Sequence, residues 1–216
     1  MNFLDINKIL FTVLGYPMSY IEFFGVLANA LCVWLVAKKK IATWPIGIIG
    51  AILFMVMFWQ IQLYSDAIMQ VYYVVTGFYG WYFWNKTKND TNKDVYKFSS
   101  PTSIYMWAVL TISVAFGWGM FMSNAHTYLP SIFAYKAAFP YIDAGILVAS
   151  FVANWLMIKK RIECWIYWVL IDIVSIYVYF AKGVVFTSIL YFAFLIMASN
   201  GLRLWMKNRS PQEESF

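Results

Sequence analysis

Asp172 is the residue with the most chemistry to explain. It closes the run Trp165-Ile166-Tyr167-Trp168-Val169-Leu170-Ile171-Asp172, eight residues past Cys164 in an apolar stretch. At 1.5 Å per helical residue it stands roughly 12 Å into that stretch. A carboxylate at such depth in a bilayer costs on the order of 3 kcal/mol. Two arrangements meet that cost: a polar cavity that uses the charge, or a structural carboxylate bonded to a neighbouring Tyr or Trp. No basic residue lies at matching depth in any apolar run. In the first arrangement Asp172 therefore faces a cationic ligand or accepts from hydroxyls. Gln70, about two turns into the run that starts at Tyr64, carries an amide with the same need for partners. Asn200, beside Ser199, and Asn154 belong to the same class, and each could equally serve as a helix–helix hydrogen bond, the role that fits Asn154 better. Tyr73 and Trp168 sit deep enough to stack on a planar ring, worth about 0.5–1.5 kcal/mol beyond area and more for a cationic ring. Packing between helices explains them as well. Trp165 reads either as a ligand contact or as part of an interfacial belt. Glu22 and Asp143, and Asp66 with them, fit helix N-terminal charges.

This is binding chemistry without catalytic chemistry. The chain has no H-E-x-x-H, no G-x-S-x-G and no Walker-type glycine loop. Its single histidine, His126, and its two cysteines, Cys32 and Cys164, form no metal-ligand spacing. The cysteines read as buried thiols. No enzyme activity, metal or cofactor is expected, and the last apolar run has no central lysine for a retinal Schiff base. ATP-driven pumping has no machinery, while proton coupling through Asp172 stays open.

The elements that position these residues are membrane spans. The chain is 62% hydrophobic and only 12% charged, about half the charge of a soluble domain. Seven runs are long enough to cross a core of roughly 30 Å: about Tyr20–Ala37, Thr43–Gln60, Tyr64–Trp84, Thr102–Ser123, Tyr141–Ile158, Cys164–Ala181 and Val184–Trp205. The net charge of +6 does not indicate nucleic acid, because the basic residues sit in short loops between apolar runs. Lys38–Lys40, Lys86, Lys88, Lys93, Lys97, Lys159–Arg161, Arg203, Lys207 and Arg209 fall on one side, and only Lys8, Lys136 and Lys182 on the other. The positive-inside rule makes the first side cytoplasmic, with the N-terminus outside and the C-terminus inside.

The chain also contains itself twice. Trp44 returns as Trp165, 121 positions later, and at the same offset Lys38-Lys39-Lys40-Ile41 returns as Lys159-Lys160-Arg161-Ile162, Gly80 as Gly201 and Trp84 as Trp205. No gap is needed from Tyr20 to Lys86. Two halves of this kind predict a transporter with its substrate held between them. The fourth run has no copy, and one extra crossing lets the second half insert in the same orientation as the first. The expected fold is an all-α membrane protein: seven transmembrane helices, as two parallel three-helix repeats joined by one linker helix (3+1+3). Phe3, Ile6, Leu10 and Val13 at helical spacing add a short N-terminal interfacial helix over residues 3–14. The expected segments are 1–17 for that helix, 18–86 for the first repeat, 87–140 for the cytoplasmic loop, linker helix and outer loop, 141–207 for the second repeat, and 208–216 for a polar tail.

Specific runs carry a resemblance. Trp44-Pro45-Ile46-Gly47, then Tyr64-Ser65-Asp66 with Gln70, then Tyr79-Gly80-Trp81-Tyr82-Phe83-Trp84 resemble the PnuC family of nicotinamide riboside transporters. So does Glu163-Cys164-Trp165-Ile166-Tyr167-Trp168, followed by Asp172 and Tyr179. The resemblance covers about Tyr20 to Lys207 and departs at Cys164, where the family often carries Asn. It implies a 3+1+3 fold distantly related to the SWEET sugar transporters, the bacterial inner membrane, and homotrimers. It further implies facilitated diffusion of nicotinamide riboside, drawn inward by a separate cytoplasmic kinase. Thiamine or riboflavin, carried by similar proteins, remain alternatives, as does a membrane sensor without flux. Under the resemblance Trp168 and Tyr73 stack on the pyridinium ring, with Trp165 nearby. Gln70 and Asn200 bond the amide or ribose, and Asp172 accepts from the ribose or balances the ring charge. Rocking of the two repeats would expose the substrate alternately to each side, with Pro45, Gly47, Gly50 and Gly183 as places for the motion.

Overall fold

The computed structural model describes residues 3–13, 15–61, 64–88, 96–129, 139–181 and 185–207, without the side chains of 64–66 and 185–186. Lys93, Lys136, Lys182, Gly183, Arg209 and the tail from Asn208 lie outside these residues, as does the side chain of Asp66. The chain divides into two compact units, Met1–Val95 and Tyr96–Phe216. The first holds a hairpin, β1 (Ile9–Val13) and β2 (Tyr16–Ser19), then helices α1 (Tyr20–Ala37), α2 (Thr43–Gln60) and α3 (Tyr64–Thr87). The second holds α4 (Pro101–Tyr128), α5 (Pro140–Ile158), α6 (Cys164–Ala181) and α7 (Val185–Lys207). Six of the seven helices among the described residues are long and apolar enough to cross a membrane. The exception is α3. Its 24 residues give roughly 36 Å of helix, but Gln70 and its polar ends dilute its apolar character.

In the first unit, α1 ends in a Schellman motif. Lys39 takes a left-handed φ of 58°, so its N–H bonds the Val36 carbonyl at 2.9 Å while Lys40 N–H reaches Leu35 at 2.9 Å. The turn delivers Trp44 into the first turn of α2. There Trp44 meets Trp84 of α3 edge to face, ring centroids 5.3 Å apart, and lies against Gly80, where any Cβ would collide with the indole. Glycine contacts recur along the unit. A Cβ on Gly25 would stand 2.7 Å from Phe54, on Gly47 2.9 Å from the Cys32 sulfur, and on Gly77 2.7 Å from Ile48. Close approach of α1 and α3 to α2 therefore rests on small residues. Thr43 Oγ1 donates to the Cys32 carbonyl at 2.9 Å and lies 3.2 Å from its sulfur.

The N-terminal segment is a β-hairpin and not the helix expected over residues 3–14. Asp5 Oδ1 accepts from the Asn7 backbone N–H at 2.9 Å and Lys8 N–H reaches the Asp5 carbonyl at 3.1 Å. These local bonds compete with a helix. Ile9, Phe11, Thr12 and Val13 favour the pleated surface, and Gly15 reverses the chain at φ 84°. The strands pair antiparallel, Val13 with Tyr16 and Phe11 with Met18. The hairpin is fastened to both adjoining helices. Tyr16 Oη donates to Glu22 at 2.7 Å, Ser19 caps α1 by accepting from the Glu22 N–H, and Gln60 accepts from the Ile6 N–H and donates to the Leu4 carbonyl. Burial, and then the neighbouring Glu22, push the Tyr16 hydroxyl up to about 12.

In the second unit the α5–α6 turn repeats the first unit's turn bond for bond. Lys160 has φ 57°, its N–H bonds Met157 at 3.0 Å, and Arg161 N–H reaches Leu156 at 2.9 Å. Trp165 meets Trp205 at 5.5 Å, and a Cβ on Gly201 would stand 2.5 Å from the Trp165 ring. This turn also carries a strap that precedes α4. Lys97 and Arg161 pair in a parallel bridge, and both Glu163 oxygens accept from the Ser99 N–H at 3.2 Å. The Lys160 ammonium lies 5.7 Å above the Tyr96 ring, leaving Lys160 only 2% exposed. Helix α4 runs five residues beyond the expected end at Ser123, because Ser123 and Asn124 satisfy themselves on the Met120 carbonyl without breaking the helix. It packs on α5, with Gly119 against Tyr141.

Candidate functional site

Five residues of α6 that carry polar atoms lie in one stripe. Trp165, Trp168, Asp172, Ser175 and Tyr179 follow one another at spacings of three or four residues, which keeps them within roughly 80° of the helix surface. Asp172 is 4% exposed and Ser175 is fully buried, while Trp168 and Tyr179 are half-buried. Among the described residues, no hydrogen bond or ion pair reaches the Asp172 carboxylate. Trp165 Nε1, Trp168 Nε1 and Ser175 Oγ are buried without a partner. Each unmet group costs on the order of 1–3 kcal/mol, so the stripe is expensive to the fold and suited to a polar guest.

One of these orphaned groups has a structural explanation. Trp165 occupies the same packing as Trp44, whose Nε1 is also buried without a partner. Both indoles fill a slot between a Gly and a second Trp. That orphan belongs to the shared scaffold. At the offset of 121 positions Trp168 matches Gly47, Asp172 matches Ala51, Ser175 matches Phe54 and Tyr179 matches Phe58. The first unit thus has no polar stripe on α2. Towards the far end of α6, Tyr179 stacks on Tyr191 of α7 with centroids 5.2 Å apart and rings 15° from parallel, and Ser188 donates to the Ile176 carbonyl.

In the first unit Gln70 is 6% exposed and shares the α3 face that carries Gly77, Gly80 and Trp84. No hydrogen bond to its amide is found among the described residues. Tyr73, one turn further on, is half-buried, with its ring edge to face against Tyr72 at 5.4 Å. Asn200 lies elsewhere. It is exposed, while Ala198, Gly201 and Trp205 on another face of α7 are buried. Asn154 is buried on α5. The structure thus assembles Trp165, Trp168 and Asp172 on one helix face and Gln70 with Tyr73 on another, and sets Asn200 apart from the α6 stripe. Ser175 is the residue that sequence reasoning missed. Its signal was its place three positions past Asp172.

No group of three or more His, Cys, Asp or Glu able to hold a metal occurs among the described residues. Six apolar helices of membrane-spanning length define a multi-pass membrane protein. The family follows from comparison. Residues 19–207 match the nicotinamide mononucleotide transporter family, and the chain belongs to it. The family and its members are transporters, not enzymes. The nicotinamide riboside transporter PnuC of Escherichia coli is 30% identical over 211 residues, covering 90% of this chain and 88% of that one. The riboflavin/roseoflavin transporter RibM of Streptomyces davaonensis is 24% identical, covering 93% and 91%. The crystal structure of the vitamin B3 transporter PnuC matches with a TM-score of 0.60 at 22% identity, over 87% of this chain and 81% of that one, a likeness of fold.

Proposed function

We propose that this chain carries nicotinamide riboside across the bacterial inner membrane by facilitated diffusion with alternating access. The carrying observation is Asp172: a buried carboxylate with no hydrogen-bond or ion-pair partner among the described residues, one turn from the orphaned Trp168 N–H. Nicotinamide riboside brings a cationic pyridinium, a carboxamide and ribose hydroxyls. In the second unit the ring charge balances Asp172, Trp168 stacks on the ring and Trp165 borders it, while Asn200 stands apart on the exposed face of α7. Gln70 and Tyr73, on their own face of α3, are further proposed contacts for the nucleoside. Nicotinamide mononucleotide adds a phosphate, which would meet a carboxylate and no cation along α6, so the nucleoside is the better match.

The finer architecture belongs to the same reading. The matching turns, Trp pairs and glycines of the two units support two parallel three-helix repeats joined by α4, with α3 as a seventh span. The basic turns lie on the cytoplasmic side and the hairpin lies outside. We further propose a homotrimer, and uptake drawn by a cytoplasmic kinase that phosphorylates the vitamin.

Uptake of labelled nicotinamide riboside into protein-loaded liposomes tests the function. Flux well above that of empty vesicles is expected, and equal flux would sink it. Tight binding without counterflow would make the protein a sensor. A thermal-shift panel should show stabilisation by nicotinamide riboside ahead of thiamine, riboflavin and nicotinamide mononucleotide.

A further inference from the structure

We infer that Ser175 is a specificity-determining contact for a ribose hydroxyl, and that it selects ribosides over ligands lacking that hydroxyl. The inference rests on the nicotinamide riboside reading above and extends it to a residue that reading does not use. Seven Ser and Thr side chains are buried among the described residues. Six have a partner. Ser19 caps α1, Thr43 donates to Cys32 across to α1, and Ser188 donates to Ile176 across to α6. Thr87, Thr111 and Ser150 donate to the carbonyl four residues back, at 2.9, 2.7 and 2.7 Å. Ser175 has the same carbonyl available to it, that of Ile171, and does not use it. A fully buried hydroxyl that forgoes its own helix is held for another partner.

The size of Ser175 and its hydroxyl have separate explanations. Its counterpart Phe54 lies against Gly25, and Ile146 stands where Gly25 stands. That exchange of large and small accounts for a small residue at 175, and alanine would satisfy it. The hydroxyl is then surplus to packing. It sits about 4.5 Å further along the axis than Asp172 on the same face. A carboxylate that only accepts, followed by a hydroxyl that both donates and accepts, suits the two adjacent hydroxyls of one sugar better than an aromatic ring or an amide.

The test is isothermal titration of wild-type and Ser175→Ala protein with nicotinamide riboside and its 2′-deoxy and 3′-deoxy analogues. Wild-type protein should lose about tenfold in affinity for one deoxy analogue. Ser175→Ala should lose about tenfold for the parent riboside and nothing further for that same analogue, with the ligand-free melting temperature held. An equal loss for all three ligands means a structural role, and an unchanged affinity means no role. Either outcome overturns the assignment alone. Wild-type protein that binds no nicotinamide riboside overturns the functional reading and this inference with it. Should Ser175→Ala fold poorly, Ser175→Cys, which stays small but donates weakly, must show the same ligand-selective pattern.

Discussion

Helices α2 and α6 begin in the same way and diverge within one turn. Both follow a Schellman turn with a left-handed Lys, Lys39 or Lys160, and both seat a Trp between a Gly and a second Trp. Beyond that point α2 presents Gly47, Ala51, Phe54 and Phe58, and α6 presents Trp168, Asp172, Ser175 and Tyr179. In the first unit the face is closed by glycine contacts and a phenylalanine. In the second, Trp168 Nε1, the Asp172 carboxylate and Ser175 Oγ have no hydrogen-bond partner among the described residues. Duplicated architecture is thus kept where the chain turns, and the recognition proposed above falls where the copies differ.

The strongest way to break this comparison is at the shared slot. Gly80→Leu and Gly201→Leu would each drive a side chain into an indole held by a second Trp. Overpacking costs about 1–3 kcal/mol in a deformable core, and two interlocked Trp rings cannot yield easily. Both variants should lose most of their folded yield and melt well below wild type in detergent. A collapse in one unit with the other unaffected would show that the two slots are not equivalent.

Exchange at the next position has opposite signs in the two units. Ala51→Asp places a carboxylate among apolar neighbours and should cost about 3 kcal/mol, without adding affinity. Asp172→Ala removes a buried carboxylate that has no partner among the described residues, so it should hold or raise the melting temperature while riboside binding falls at least thirtyfold. A lowered melting temperature in Asp172→Ala would make the carboxylate structural. Smaller effects are expected from Trp168→Ala and Gln70→Ala, each weakening affinity about tenfold in titrations. Unchanged affinity in both would remove these residues from the site.

The sequence carried some of this and hid the rest for identifiable reasons. The bounds of α1, α2 and α6 were legible because apolar runs stop at basic or polar residues. Asp172 and Gln70 were legible because a polar residue in such a run stands out. The N-terminal hairpin was not, since eleven residues can satisfy a helical and an alternating pattern at once, and Asp5, Asn7 and Gly15 decide between them. The exposure of Asn200 depends on which face of α7 packs, which spacing alone does not fix. Ser175 was hidden because serine is ordinary in a membrane helix, so its place three positions past Asp172 gains meaning only from its missing partner. The burial of Lys160 and Glu163 depends on a strap from residues 96–100 that no local pattern announces.

That strap gives the most sensitive test of the comparison. A non-glycine residue in the left-handed region costs about 1–2 kcal/mol, and glycine relieves most of that at an entropic cost of about 0.5–1 kcal/mol. Lys39 is half-buried, so Lys39→Gly should be neutral or stabilising by a few tenths of a kcal/mol. Lys160 has the same φ but lies buried over Tyr96, and a desolvated cation–π contact is worth up to about 2 kcal/mol. Lys160→Gly should therefore be net destabilising, by about 1 kcal/mol, and should loosen the strap. Hydrogen exchange at the Ser99 amide, bonded to Glu163, reads that loosening directly. Equal shifts in melting temperature for the two variants, with Ser99 protection unchanged, would mean that the turns are equivalent in energy as well as in geometry. The divergence between the units would then begin only at Trp168.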